Sequence, residues 1–126
     1  GARDRRRGRP ALDRHEVAQV DELAVAGAEV VLVPTALPAG PSGSFIAEHL
    51  IQTRAFENQI FVAYVNHCGT DDLFRFAGRS RVAAPDGQLL ATANITDETL
   101  LVVDIDLASF DRSRAENTYL RDLRIT

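Results

Sequence analysis

Two short apolar runs constrain this chain more than any other feature. Val30-Val31-Leu32-Val33 and Ile60-Phe61-Val62-Ala63-Tyr64-Val65 carry no charged residue. Runs of this length, rich in β-branched and aromatic residues, predict strands covered on both faces, as parallel sheets require. Between them Ile46, Leu50, Ile51 and Ala55 recur at helical spacing and form one apolar stripe. Ser44 is the predicted N-cap, and the helix is predicted to end near Asn58. Strand, crossover helix and strand together make a right-handed parallel βαβ unit.

The flanks extend this plan. His15–Ala26 places Val17, Val20, Leu23 and Ala24 on one helical face, with Gly27 as terminator. Pro34 ends the first strand, and Thr35–Gly43 reads as a loop. After Asn66 the pattern changes. Arg79–Ala84, Leu89–Ala93 and Thr99–Ile105 are short apolar or alternating runs, separated by Pro85-Asp86-Gly87 and by Asn94–Glu98. That is the pattern of an antiparallel meander. Ala108–Leu123 is predicted to close the chain as a charged helix with Phe110, Tyr119 and Leu120 as its apolar contacts. The predicted class is α/β: a mixed sheet, two parallel strands and then antiparallel ones, with helices on one face.

At 126 residues the chain predicts one domain. A formal net charge of -4 argues against nucleic-acid or membrane-surface binding, and no apolar run reaches bilayer-spanning length. Gly1–Pro10 carries Arg3, Arg5, Arg6, Arg7 and Arg9 with no aromatic between them for base stacking. Residues 1–12 are therefore expected to be a disordered, solvated tail. One cysteine excludes a disulfide framework within the chain and fits a reducing, cytoplasmic setting.

No cofactor is implied, because the sequence has no phosphate-cradling glycine loop. His15, His49, His67 and Cys68 share no metal-ligand spacing, so no metal is expected either. Ser42 lies in Gly40-Pro41-Ser42-Gly43-Ser44, where Ser44 replaces the last glycine of a nucleophile elbow. Cys68 follows His67 directly, and adjacent residues of an extended chain point opposite ways, so a structural thiol is expected. Thr35 follows the first parallel strand and Asn66 ends the second. Ligands in open α/β sheets gather at carboxyl ends of strands, which makes these two the substrate-binding candidates. Arg54 and Glu57 are spaced for an ion pair on one helical face, and Ser80 for a hydroxyl bonded to backbone. These three are read as structural.

Four words stand in a fixed order: Arg54-Ala55-Phe56-Glu57-Asn58, a strand closing on Asn66, Phe76-Ala77-Gly78-Arg79-Ser80, and Pro85-Asp86-Gly87. In that order and spacing they resemble the C-terminal half of the nitrilase superfamily, the carbon–nitrogen hydrolases. The likeness runs from about Val17 to Ile105 and more loosely to Leu123. It implies that residues 13–126 form half of a four-layer α-β-β-α sandwich. It also implies an intact parent that hydrolyses a non-peptide C–N bond of a small amide or nitrile. In the family a Cys attacks, a Glu acts as general base and a Lys stabilises the oxyanion.

Counting back from Gly27-Ala28 puts the family's Cys-Tyr-Asp on Ala11-Leu12-Asp13, so Ala11 stands at the nucleophile position. The Glu and Lys belong to the N-terminal half. The resemblance therefore implies a C-terminal fragment without the triad, inactive alone, with a truncation or shifted reading frame upstream. The alternative is a non-catalytic assembly module of the same fold. Either way the second face of the sheet needs a partner, and a homo-oligomer is expected.

Overall fold

The computed structural model describes the backbone of residues 20–125 and side chains through Asp122. The arginine-rich tail, Ala11, Asp13, His15 and the start of the first predicted helix lie outside the described residues. Residues 20–25 are helical (α1), and the chain turns at Gly27 with φ 109. Strand β1 (Val30–Thr35) pairs in parallel with β2 (Phe61–Asn66), from Val30 against Phe61 to Thr35 against Asn66. β3 (Arg81–Ala83) runs antiparallel to β2, and β4 (Leu89–Thr92) antiparallel to β3, with a bulge at Val82/Ala83. The sheet order is β1-β2-β3-β4, the predicted two parallel strands followed by antiparallel ones.

The crossover is one continuous helix, α2, made of Pro41–Phe45, a π-helical Ile46–Leu50, and Ile51–Asn58. It begins before the predicted Ser44. Gly40 takes the N-cap position at φ 150 and Pro41 the first helical one. Proline presets φ there and lacks only an N–H that the first turn leaves unbonded anyway. The helix stops at Gln59, which adopts the left-handed conformation at φ 53.

Two further predictions are corrected. Thr99–Ile105 joins no ladder among the described residues. Its alternation is real: Leu100 and Val102 are 88% and 83% exposed, while Leu101 and Val103 are half-buried. A strand pattern without a neighbouring strand makes no sheet. The single helix predicted over Ala108–Leu123 is instead a 3₁₀ turn at Leu107–Phe110, then α3 (Asp111–Glu116) and α4 (Tyr119–Ile125). The Asp106 carboxylate caps the first by accepting from Ala108 N at 3.1 Å. Asn117 breaks the run in an extended conformation while its Nδ2 donates to Ser113 O at 3.0 Å. Short polar side chains that bond nearby backbone offer the chain such an exit from a helix. No helix among the described residues is long and apolar enough to cross a membrane.

The helices cover one face of the sheet. Val31, Val62, Tyr64 and Ala83 pack against Ala47, Ile51 and Ala55 of α2 and Val20 and Ala24 of α1. The other face is open: Leu32 is 70% exposed and Val65 54%. The helices lie on one face, as predicted, and the face predicted to need a partner carries these exposed residues. On the open side Phe61 is sheltered by Phe110, ring edge to ring face with centroids 5.3 Å apart.

Gln59 ties the C-terminal helices to this layer. Its Nε2 donates to Phe56 O at 2.7 Å and Pro85 O at 2.9 Å, and its Oε1 accepts from Ser113 Oγ at 2.6 Å. Arg114 Nε donates to its carbonyl at 3.3 Å. Gln59→Ala leaves buried partners unbonded and is expected to cost about 1–3 kcal/mol. By contrast the Arg54 Nη1–Glu57 Oε1 pair, 2.7 Å long, leaves the Glu57 side chain 49% exposed. Glu57→Ala is expected to cost less than about 1 kcal/mol. Urea midpoints of the two variants against the parent check the ranking. Equal midpoints would overturn it.

Candidate functional site

The carboxyl ends of β1 and β2 carry two loops, and Asn66 clamps them together. Its Oδ1 accepts from Leu37 N at 2.8 Å, and its Nδ2 donates to Gly78 O at 3.1 Å. A longer contact reaches Leu37 O at 3.5 Å. Ser80 Oγ accepts from Asn66 N at 2.8 Å and donates to Asn66 O at 3.2 Å. Backbone bonds extend the zip: Ala77 N to Leu37 O at 2.8 Å, Ala39 N to Arg75 O at 2.7 Å, and Gly78 N to His67 O at 2.9 Å. Gly78 sits at φ 60, and a Cβ there would meet Ile95 O at 2.5 Å. Only glycine fits that close approach.

Thr35 lies directly across the ladder from Asn66, and its carbonyl accepts from His67 N at 3.2 Å. The two candidates nevertheless face different hollows. Thr35 borders a small apolar cavity of about 70 Å³ with Val33, Ile46, Ile51 and Tyr64, beneath the π-helical part of α2. π-Helical turns inserted in α-helices recur at functional sites. Asn66 borders an open cleft of about 590 Å³ with His67, Cys68, Ser80, Asp97 and Glu98.

Cys68 is half-buried at the cleft, and among the described residues no side chain hydrogen-bonds its thiol. The neighbouring His67 ring lies against Phe76, centroids 5.2 Å apart. Ser42 lies in the first turn of α2. Among the described residues no three His, Cys, Asp or Glu side chains gather closely enough to hold a metal ion. At the loop tip Asp71 accepts from Phe74 N at 2.7 Å and Leu73 N at 2.8 Å. These two backbone donors hold its carboxyl below the usual carboxylate range.

Sequence reading missed one cluster. Arg79, in the left-handed conformation at φ 61, pairs with Glu48 of α2, and Arg81 is buried beside it. The only local signal was a pair of arginines flanking Ser80.

Known proteins share this fold. The sequence model of the carbon-nitrogen hydrolase family matches residues 16–115. The chain belongs to the carbon–nitrogen hydrolases. It is 47% identical over 104 residues to a Pseudomonas protegens protein named as a hydrolase in the pqqF 5' region, covering 81% of this chain and 35% of that one. It is 40% identical over 106 residues to an (R)-stereoselective amidase of Pseudomonas sp, covering 82% and 37%. Among solved structures, a variant of the nitrilase-superfamily amidase of Nesterenkonia AN1 superposes with TM-score 0.71 and 38% identity, over 86% of this chain and 37% of that one. The chain thus spans about a third of the length of these relatives.

The clamp makes a testable claim about this carbon–nitrogen hydrolase chain. Asn66→Ala removes the acceptor of Leu37 N and the donor to Gly78 O, an expected loss of about 1–3 kcal/mol. Asn66→Asp retains the acceptor. Amide exchange at Leu37 is therefore expected to accelerate in the alanine variant and stay slow in the aspartate one. Slow exchange in both would remove Asn66 from the role.

Proposed function

We propose that this chain is the C-terminal part of an amidase that hydrolyses a non-peptide C–N bond of a small amide. By itself it does not turn over. The observation that carries this reading is the match to the Nesterenkonia amidase, which is extensive on this chain and covers only a third of the neighbour. In one structure of that amidase the acetamide moiety of fluoroacetamide is covalently attached to the active-site cysteine.

The corresponding chemistry needs a thiolate, a carboxyl group that shuttles its proton, and a cation for the oxyanion. The thiolate adds to the amide carbon, the tetrahedral oxyanion collapses, and the amine leaves with a proton. Water then cleaves the thioester. Among the described residues no basic side chain hydrogen-bonds Cys68, and Ala11 stands where the resemblance places the nucleophile. What this chain supplies is the wall of the site: Thr35 and Asn66 at the strand ends, with the loops that Asn66 holds. A reducing cytoplasmic setting suits such a thiol.

The open sheet face, with Leu32 and Val65 exposed, supports packing against a second sheet such as the family's N-terminal half would supply. It equally favours a second reading, a non-catalytic module that assembles with its own copy through that face. Ammonia release from acetamide, butyramide and acrylamide separates the two. The chain alone is expected to give none above background, and covalent restoration of an N-terminal half with Glu, Lys and a Cys in place of Ala11 is expected to give turnover. Hydrolysis by the chain alone, abolished by Cys68→Ala, would overturn the first reading. Light scattering tests the open face. A dimer or larger species is expected, and a monodisperse monomer that binds no hydrophobic dye would overturn it.

A further inference from the structure

Arg81 is the one charged side chain among the described residues that is buried, at 9% exposure. Its Nε donates to Arg79 O at 2.9 Å. Among the described residues no carboxylate lies within ion-pair distance of it. The neighbouring guanidinium of Arg79 is taken by Glu48 Oε2. Two cations therefore stand beside one carboxylate, and the one without a direct partner, Arg81, is the buried one, where an uncompensated charge is costly. Burial first, and then the charge of Arg79, both lower the pKa of Arg81. A guanidinium does not escape by losing its proton, so the excess positive charge stays.

This pair forms one wall of a second cleft, of about 480 Å³, at the β4 edge of the sheet. Thr92, Asn94 and Thr96 complete its polar lining and no acidic residue lines it, while on their other side the same two arginines border the Asn66 cleft, where Asp97 and Glu98 lie. Thr92 stands directly opposite Arg81 in the β3–β4 ladder, so the two side chains share a face. Asp97 follows in sequence, but its carboxylate accepts from Asn94 Nδ2 at 2.9 Å and Thr96 Oγ1 at 3.3 Å within its own turn. Arg79 keeps φ 61 because its N–H donates to Asn94 O at 3.0 Å. Non-glycine residues held in that conformation cluster at ligand clamps.

We propose that this cleft binds a small oxyanion between the Arg79 and Arg81 guanidinium groups, with the Thr92 hydroxyl as a further donor. Planar carboxylates and tetrahedral phosphates both match the guanidinium fork. Anion binding here does not rest on the amidase reading, since neither a catalytic nucleophile nor the open sheet face enters it.

The test is titration of the full chain with sodium phosphate and, separately, sodium succinate. Ionic strength is held constant with sodium chloride, and binding is read by calorimetry and by the thermal unfolding midpoint. A ligand that binds the folded state alone raises that midpoint saturably. Saturable binding of either anion is expected, and which of them binds tells the tetrahedral from the planar class. Arg81→Gln is expected to weaken binding by roughly tenfold or more, the loss of one charge-assisted contact. Thr92→Val keeps the cations and is expected to weaken binding less, which provides a second variant if Arg81→Gln does not fold. No saturable binding of either anion to the parent, or equal binding in parent and variants, would overturn the site.

Discussion

The parallel pairing of β1 with β2 is the constraint on which the rest depends. Parallel neighbours cannot be joined by a tight turn, so the chain must cross back over the sheet, and α2 is that crossing. The crossing puts Ala47, Ile51 and Ala55 onto Val31, Val62 and Tyr64 and fixes which side of the sheet is dry. It also brings the ends of β1 and β2 together at one edge, where the loops after Thr35 and Asn66 can bond.

Two amide side chains hold the two ends of β2. At its start Gln59 reaches Pro85 and Ser113 and draws in the Pro85-Asp86-Gly87 turn and α3. At its finish Asn66 reaches Leu37 and Gly78 and draws the two strand-end loops together. Each side chain uses both donor and acceptor, a capacity that asparagine and glutamine have and apolar residues lack. The core between them is apolar, with Val62 and Tyr64 packed against the helices. Both ends are fixed by directional bonds, and this distinguishes a set wall from a loosely packed one.

Charge is handled unevenly across the molecule. The Arg54–Glu57, Arg112–Glu116 and Arg114–Asp111 pairs are local, one helical turn apart, with at least one partner well exposed. Such pairs contribute little. Arg79 and Glu48 join distant elements, and Arg81 lies buried next to them without a carboxylate of its own among the described residues. The imbalance sits at the sheet edge, where the polar cleft also lies.

The sequence by itself determined the strand and helix order, the parallel-then-antiparallel sheet, the family, and the placing of Thr35 and Asn66 at strand ends. These are local or periodic features: an uncharged run, a stripe at helical spacing, a turn of Pro, Asp and Gly. Only the tertiary structure decided what depends on a partner elsewhere in the chain. Which strand residues fall on the open face was set by pairing and packing: Leu32 and Val65 are exposed while Val31 and Tyr64 pack beneath the helices. Thr99–Ile105 reads as a strand, yet no neighbouring strand pairs with it among the described residues. Ser44 reads as a cap, yet Pro41 starts the helix earlier. Nothing in the Arg79–Ala84 run marks Arg81 as different from Arg79, and the register that sets it opposite Tyr64 and Thr92 turns it inward. Composition and spacing describe what a segment is able to do, while burial and pairing depend on which surfaces the fold brings to it.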